Sequence, residues 1–165
     1  MKTAHLASVH RATDTRVFYK ECRTLRRCGH DVVLVVPHAR HETVDGVRIS
    51  PVPIPRNRRE RFLHTIWAVL VKAVRERADV YHFHDPELIP ACLVLKARGA
   101  TVIFDVHEEI PAQILTKRWI PAGLRPLVAS LAGMALRVAA RCFDGIIVAE
   151  PQQAEPLAGA NIEIV

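Results

Sequence analysis

Short apolar runs alternate with longer amphipathic segments along this chain of 165 residues. Runs such as 31–36 and 101–106 are apolar without strict alternation, which is typical of parallel strands buried on both faces. The pattern predicts seven strands, at residues 2–9, 31–36, 47–49, 80–83, 101–106, 146–148 and 161–165.

Helical periodicity predicts the segments between these strands. Thr13 or Asp14 can cap the first helix, and Gly29 ends it. The other predicted helices are 62–77, 88–98, a long helix that starts near Pro121, and 152–157. Two of these helices carry an apolar stripe on one side: Phe62, Ile66, Val69, Leu70 and Ala73, and then Leu127, Leu131, Met134 and Val138. In the first stripe, Phe62, Ile66 and Leu70 suit the core.

The alternation of strands and helices predicts an α/β fold, because parallel strands need crossover connections that are usually helices. We expect a Rossmann-like, doubly wound parallel sheet of six or seven strands, formed by residues 1–165 as one domain. The topological switch is expected between the first and fourth predicted strands. Open α/β sheets bind their ligands at such a point.

Titratable side chains follow three of the predicted strands. His84 and Asp85 come after the fourth strand, His107 and Glu108 come after the fifth, and the loop 10–16 follows the first. Because the carboxyl ends of parallel strands share one edge of a sheet, we expect these residues to line one crevice.

The chain carries 23 Lys and Arg residues against 17 Asp and Glu residues, a net charge of +6. This balance favours anionic partners, and Arg56, Arg58, Arg59 and Arg61 form a cluster. The cluster is either a solvated face or a contact for an anionic membrane surface. We expect no nucleic-acid partner, because aromatic residues make up 5% of the chain and none interleaves the cluster as a stacking platform.

Cysteine spacing and hydropathy indicate the class of protein. Cys22, Cys28, Cys92 and Cys142 lack the spacing of a metal site, so we interpret them as reduced thiols of a cytoplasmic protein. Residues 1–9 are too short and polar for a signal peptide. No uncharged apolar run of about 18 residues is present, and we therefore expect no membrane-spanning helix.

Four segments together resemble the N-terminal half of family 4 glycosyltransferases, enzymes with the GT-B fold of two facing Rossmann-like domains. They are residues 10–21, 29–32, 79–88 and 104–108. The pair of motifs at 79–88 and 104–108 is specific at this spacing, and the resemblance covers essentially the whole chain.

The resemblance implies transfer of a sugar from a nucleotide-sugar to an acceptor, with retention of anomeric configuration. It implies no metal and no cofactor beyond the nucleotide-sugar co-substrate. This half would bind a sugar or lipid-linked acceptor, and a C-terminal domain absent from this chain would bind the donor. We therefore expect a truncated and inactive half of a cytoplasmic enzyme of polysaccharide or glycolipid assembly, able to contact the inner membrane face.

The resemblance also assigns roles to residues. The matching positions are His107 as the catalytic residue, which contacts the donor sugar, and Asp14, Arg16, His84, Asp85 and Glu108 as substrate-binding residues. Three of them have a second interpretation. His107 could be a surface histidine or a satisfied histidine of the core. Asp85 could cap the helix that begins at Pro86. Arg16 could contact a phosphate or carboxylate, or it could pair with Asp14 or Glu21.

Other classes of function are also considered. A nucleotide-sugar 2-epimerase has the same double-Rossmann fold, and a non-catalytic binding module could pair with a separate donor-domain chain. A dinucleotide oxidoreductase is disfavoured, because no Gly-x-Gly-x-x-Gly follows the first strand. A serine hydrolase is disfavoured, because no serine lies in a nucleophile elbow.

Overall fold

Strands and helices alternate along the chain, so the predicted α/β class is confirmed. The structure is a computed structural model that describes residues 1–107, 109–157 and 159–164. Its contacts divide the chain into two compact units, Met1–Ile103 and Phe104–Val165.

The described residues form eight strands, one more than predicted. Their bounds are β1 Lys2–Leu6, β2 Asp31–Pro37, β3 Glu42–Val44, β4 Val47–Val52, β5 Val80–Phe83, β6 Thr101–Val106, β7 Gly145–Val148 and β8 Ile162–Ile164. The predicted last strand included Val165, which lies outside the described residues.

The helices are of three kinds. Two π-helices, Thr15–Cys22 and Arg61–Thr65, and three 3₁₀ turns, Pro86–Leu88, Ala122–Leu124 and Glu155–Leu157, adjoin the α-helices of the described chain. The α-helices are α1 Arg23–Arg27, α2 Arg58–Glu60, α3 Ile66–Glu76, α4 Ile89–Ala97, α5 Ile110–Thr116, α6 Arg125–Cys142 and α7 Pro151–Ala154.

The strands of the first unit lie in the order β3-β4-β2-β1-β5. β1 is parallel to both of its neighbours, with Leu6 opposite Val35 of β2 on one side and Phe83 of β5 on the other. The winding direction of the chain reverses between β1 and β5, which are the first and fourth predicted strands. The predicted topological switch is confirmed.

Burial explains why the apolar run of β2 forms a strand. Residues 32–36 are all fully buried. Val17, Phe18 and Cys22 of the π-helix Thr15–Cys22 belong to the same core cluster. Burying a side chain of this size contributes about 1.5–3 kcal/mol of transfer free energy. The sheet and the helix after β1 therefore form one core.

The strand that the sequence pattern missed is β3, which forms a hairpin with β4. Asp45 and Gly46 connect the two strands with φ angles of 50° and 78°. Positive φ at both positions is the requirement of a type I′ turn, for which Asp-Gly is a preferred pair. Pairing with β2 then continues β4 to Val52, beyond the predicted end at residue 49.

The helical segment that precedes β5 begins earlier than predicted. The Asn57 side chain accepts a hydrogen bond from the Glu60 backbone N–H and caps α2. Four of the five residues of the predicted apolar stripe are buried, namely Ile66, Val69, Leu70 and Ala73. Phe62 is 44% exposed, so its assignment to the core is wrong. It lies in the π-helical part of the segment, where the 3.6-residue period does not hold.

The long helix of the second unit does not bury its apolar stripe. Its buried positions are Ala129, Gly133, Leu136, Ala139 and Ala140. The predicted apolar stripe of Leu127, Leu131, Met134 and Val138 is 51–58% exposed, so the most apolar side of this helix is not its buried side. A Cβ atom at Gly133 would lie 3.5 Å from Cγ of Pro111. The small face therefore allows α5, which was not predicted, to pack closely on α6.

The stretch Ala122–Cys142 is 21 residues long and apolar enough, by length and composition alone, to cross a membrane. The sequence pattern had predicted no such helix. The finding is a weak indication of a membrane span, because the helices of soluble proteins meet the same criterion.

Candidate functional site

The polar residues of the first unit collect where β1 and β5 end. Open α/β sheets place their ligands outside the carboxyl ends of the strands at the switch point. In this unit the switch lies between β1 and β5, so the loops that follow these two strands define the candidate site.

Asp85 organises this part of the site. Its Oδ2 accepts hydrogen bonds from the backbone N–H groups of Ser8, at 2.6 Å, and Val9, at 3.1 Å. Its Oδ1 lies 3.0 Å from Nδ1 of His10. These bonds turn the chain away from the sheet after Leu6, so β1 ends there and not at residue 9 as predicted. A buried carboxylate thus fixes the loop that follows the first strand.

The environment shifts the pKa values of two carboxyl groups here in opposite directions. Burial by itself raises the pKa of Asp85, but the bonds with His10 and with the two backbone N–H groups outweigh it and hold the pKa below its usual value. Burial raises the pKa of Glu87 above its usual value, despite its hydrogen bond from Ser8 and its ion pair with Arg61. The site therefore combines a charged acceptor with a carboxyl that protonates more readily.

The Glu87 carboxylate links two segments of the unit. Its Oε1 accepts a hydrogen bond from Oγ of Ser8 at 2.7 Å and lies 2.8 Å from Nε of Arg61. Arg61, one of the four clustered arginines, is therefore paired with a partly buried carboxylate. The other three, Arg56, Arg58 and Arg59, are exposed.

Asp14 and Arg16 lie at the start of the π-helix after this loop. The Asp14 Oδ1 accepts hydrogen bonds from the backbone N–H groups of Arg16 and Val17, both at 2.9 Å, so the predicted N-cap is confirmed. Nε of Arg16 lies 3.4 Å from Oε1 of Glu21, which is one of the pairings that the sequence left open. The substrate contacts expected of both residues stay predictions.

The second interpretation of Asp85 is wrong for its side chain. Asp85 occupies the N-cap position of the Pro86–Leu88 turn, but its carboxylate makes no capping bond there. The carboxylate is directed instead to the loop after β1. Its predicted role in binding an acceptor remains a prediction.

His84 lies deeper in the unit than a surface substrate contact requires. It is 1% exposed, and its Nε2 lies 3.0 Å from Nδ1 of His5. His82 and Glu21 lie against the same pair. These four residues form a group whose ligand atoms all lie within 4.8 Å of one another, a spacing compatible with a metal ion.

His107 belongs to the second unit and follows β6. Its Nδ1 lies 3.3 Å from Oδ2 of Asp105, a fully buried carboxylate. A carboxylate on Nδ1 fixes the ring orientation and directs Nε2 to a reaction partner. Glu108, the other predicted residue of this motif, lies outside the described residues.

An open pocket of about 260 Å³ lies in the second unit beside the end of β6. Val106, Ile110, Leu136 and Leu157 supply apolar lining. Arg137 and Gln153 are among its polar groups. Apolar walls with a few polar groups are typical of a site for a small organic ligand.

Sequence reasoning missed several residues of these sites. Asp105 lies two positions before His107 and so projects from the same face of the strand, a signal that the motif already contained. Glu87 could also be found from its motif, because it lies two positions after Asp85. Ser8 could not be found from the sequence, because it lay inside a predicted strand. Its N–H donates to Asp85, a tertiary contact that no local pattern indicates.

One comparison with known proteins shows the family of this chain, and another shows its fold. A family profile described as "Glycosyl transferase 4-like domain" matches residues 15–164. Sucrose-phosphate synthase from Thermosynechococcus elongatus is similar in structure, with a TM-score of 0.73 and 12% identity over 99% of this chain and 47% of that one. No curated protein gives a significant sequence match.

Two further solved structures are similar. Os79 from O. sativa in complex with UDP has a TM-score of 0.63 and 14% identity over 100% of this chain and 51% of that one. A UGT transferase from Siraitia grosvenorii in complex with UDP has a TM-score of 0.62 and 12% identity over 99% and 50%. The chain thus spans about half the length of these proteins, and at such identities the likeness shows the fold alone.

Proposed function

Since the chain belongs to the glycosyl transferase 4-like domain family and has the Rossmann-like fold of one half of a GT-B enzyme, we propose that it is the acceptor-binding half of a retaining glycosyltransferase. The full-length enzyme transfers a sugar from a nucleotide-sugar to an acceptor in polysaccharide or glycolipid assembly. The other half of the enzyme binds the donor.

The observation that carries this proposal is the polar arrangement after β1 and β5. Asp85 is a buried charged carboxylate that holds His10 and the loop after β1, and Glu87 supplies a second carboxyl with a raised pKa. His10 and Glu87 are more exposed than Asp85. Sugar hydroxyls both donate and accept hydrogen bonds, so such a set matches a carbohydrate acceptor. The buried position of Asp85 keeps the arrangement fixed before the acceptor arrives.

His107 acts on the donor sugar in this proposal. Asp105 holds the imidazole through Nδ1, which leaves Nε2 to bond a sugar hydroxyl as the donor sugar is positioned for transfer. His107 is therefore a contact to the substrate, whereas Asp105 is a positioning residue.

The apolar pocket beside β6 favours an acceptor with an apolar part, such as a lipid-linked sugar. A surface of the first unit adds to this. Arg56, Arg58 and Arg59 are exposed, and the exposed side chains of Phe62 and Trp67 follow them closely in the sequence. A basic surface with exposed aromatic residues suits contact with an anionic membrane, where we place the enzyme on the cytoplasmic face.

The proposal is tested by screening the full-length protein against nucleotide-sugars with lipid-linked and small-molecule acceptors. The expected product is a glycosylated acceptor with the anomeric configuration of the donor, read by NMR. Formation of an epimeric nucleotide-sugar without any acceptor would identify a 2-epimerase instead. An inverted product would refute the retaining mechanism but not the transferase.

A further inference from the structure

Three buried histidines lie side by side on the two central strands of the first unit. His5 of β1 is directly opposite His82 of β5 in the parallel register. His84 is two residues beyond His82 and so points to the same face. Its backbone N–H bonds to the carbonyl of Leu6, which keeps it aligned with β1. The strand geometry alone thus gathers three imidazole rings.

Glu21 covers this group from the π-helix that follows β1. Its Oε2 lies 3.7 Å from a ring nitrogen of each of His5, His82 and His84. Helices of the π type are rare and often occur at functional sites. We refer to His5, Glu21, His82 and His84 as the histidine–glutamate cluster.

The spacing of the cluster is close to that of tetrahedral coordination. Zinc–nitrogen and zinc–oxygen bonds of about 2.0–2.2 Å place tetrahedral ligand atoms about 3.3 Å apart. Nδ1 of His5 lies 3.0 Å from Nε2 of His84, and the Glu21 oxygen is 3.7 Å from each ring. All four ligand atoms lie within 4.8 Å of one another.

Burial and charge also suit a cation. The three histidine side chains are 0–7% exposed, while the Glu21 side chain is 20% exposed. One divalent ion at this place would contact all four polar groups at once. Neutral imidazoles and a carboxylate leave the cluster with one negative charge, which a divalent ion outweighs.

We propose that the histidine–glutamate cluster binds a divalent transition-metal ion, with Zn²⁺ as the physiological one. Imidazole and carboxylate ligands suit zinc, and four protein ligands make the site closed and structural. Arg16 holds the second Glu21 oxygen at 3.4 Å and orients the carboxylate. The proposal departs from the expectation of no metal, which rested on cysteine spacing and on a family resemblance.

The ion would connect β1, β5 and the π-helix at the switch point. The same helix starts at Asp14 and carries Arg16, two predicted substrate-binding residues. Metal binding would therefore fix the segment that bears them without taking part in glycosyl transfer. Loss of metal should accordingly reduce the stability of the chain.

The test uses the chain of residues 1–165 without a histidine tag, expressed with added zinc. Elemental analysis should find about one zinc ion per chain. After chelation, Co²⁺ should give the intense visible bands of tetrahedral coordination, and Zn²⁺ at a hundredfold excess over its Kd should raise the Tm by about 5–10 °C. These readouts do not depend on activity, so they can fail while the proposed transferase function stands.

Matched variants localise the site. His5→Gln and Glu21→Gln should lose the stoichiometric zinc and the cobalt bands. His38→Gln and Glu42→Gln remove a histidine–glutamate pair of 2.8 Å elsewhere in the unit and should keep both. Circular dichroism reports whether each variant is folded. If His5→Gln does not fold, the metal content of Glu21→Gln and the cobalt spectrum of the wild type show whether the cluster binds the ion.

Two results would overturn the proposal. Wild-type protein without stoichiometric zinc, cobalt bands or a rise in Tm would mean that the cluster is only a hydrogen-bonded group of histidines. Equal metal binding by the Glu21→Gln variant and the wild type would place the ion elsewhere.

Discussion

Asp85 shows how a single buried carboxylate can define a loop. It accepts bonds from two backbone N–H groups and contacts His10. In Asp85→Asn the amide presents an NH₂ group or an uncharged oxygen to these partners. We expect the free energy of unfolding to fall by about 1–3 kcal/mol, as for a buried donor left without its acceptor. Urea denaturation monitored by circular dichroism measures the change.

Asp79 provides the matched control for this substitution. Its Oδ2 also accepts a backbone N–H, that of Lys2 at 2.7 Å, but at an exposed position. Asp79→Asn should change the free energy of unfolding by less than about 0.5 kcal/mol. Equal effects of the two substitutions would show that burial of Asp85 does not set the strength of its contacts.

His107 is the residue on which the proposed chemistry depends most. His107→Ala in the full-length enzyme should lower kcat by on the order of 100-fold, the size expected when a positioning contact is lost. The matched control is His64→Ala, which removes an exposed histidine of the first unit. Steady-state kinetics with the acceptor found in the screen measures both. An unchanged rate in His107→Ala would remove this residue from the mechanism.

At the scale of elements, Glu76 ties the end of α3 to two strands. Its carboxylate lies 3.1 Å from Nζ of Lys2 on β1 and 3.3 Å from Nη1 of Arg48 on β4, and it accepts a bond from Oγ of Ser50 at 3.0 Å. Burial alone raises the pKa of Glu76, but the hydrogen bonds and charges of these partners outweigh it and lower the pKa below 4.5.

The pKa of Glu76 is lower in the folded chain than in the unfolded chain. The contact therefore stabilises the folded chain at pH values above the unfolded pKa. The unfolded chain takes up the proton first as the pH falls, so the contribution is present above the ordinary value of 4.5 and is lost as the pH falls through the folded pKa. We expect Glu76→Gln to destabilise the chain more near pH 7 than near pH 3. Urea titrations at both pH values, with the exposed Glu163→Gln as control, measure this. A pH-independent effect of Glu76→Gln would contradict the linkage.

The exposed surface around α2 makes a second prediction about elements. It combines Arg56, Arg58 and Arg59 with Phe62 and Trp67, and it omits Arg61, which is paired with Glu87. Each basic residue near an anionic membrane contributes about 1 kcal/mol. The double variant Arg58→Gln/Arg59→Gln should therefore weaken binding to anionic vesicles by about 30-fold.

Co-sedimentation with anionic and neutral vesicles at low and high salt measures this binding. Wild-type chain should bind only the anionic vesicles, and less at high salt, because salt screens exposed charges. Arg27→Gln/Arg98→Gln removes two exposed arginines elsewhere and should bind as the wild type does. Equal binding to both kinds of vesicle, or to neither, would assign the arginines to solubility or to an anionic acceptor.

The elements also show what local patterns can predict. The strand β2 was found from its sequence because burial on both faces favours a continuous apolar run. The strands β5 and β6 were found in the same way, although they contain His82 and Asp105. The buried face of α6 was not found from the sequence, because helical periodicity indicates the most apolar stripe of a helix. Here close packing of α5 at Gly133 selects the small stripe instead. A tertiary contact of this kind has no local signal.

At the scale of the whole molecule, topology predicted the candidate site better than the roles of its residues. The switch between β1 and β5 follows from strand alternation, and it correctly brings Asp85 to the loop after β1. The burial of His84 against His5 does not follow, because it depends on strand register. The register between distant strands is set by the complete sheet, so it cannot be predicted from single segments of the sequence.

The last prediction concerns the donor. The chain spans about half of the similar solved structures, two of which were determined with UDP. In the proposed function the donor site belongs to the other half of the enzyme. Residues 1–165 should therefore bind nucleotide-sugars at least about 100-fold more weakly than the full-length protein, a loss of about 2.7 kcal/mol in binding free energy.

Isothermal titration calorimetry of both proteins with the same panel of nucleotide-sugars and nucleoside diphosphates measures this difference. The acceptor found in the activity screen serves as the matched control ligand, because residues 1–165 should retain most of its affinity. Asp85→Asn should weaken acceptor binding in the chain and in the full-length protein alike, since Asp85 belongs to the half that both share. Micromolar binding of a nucleotide-sugar to residues 1–165 would place the donor site in this half and reverse the proposed division of labour.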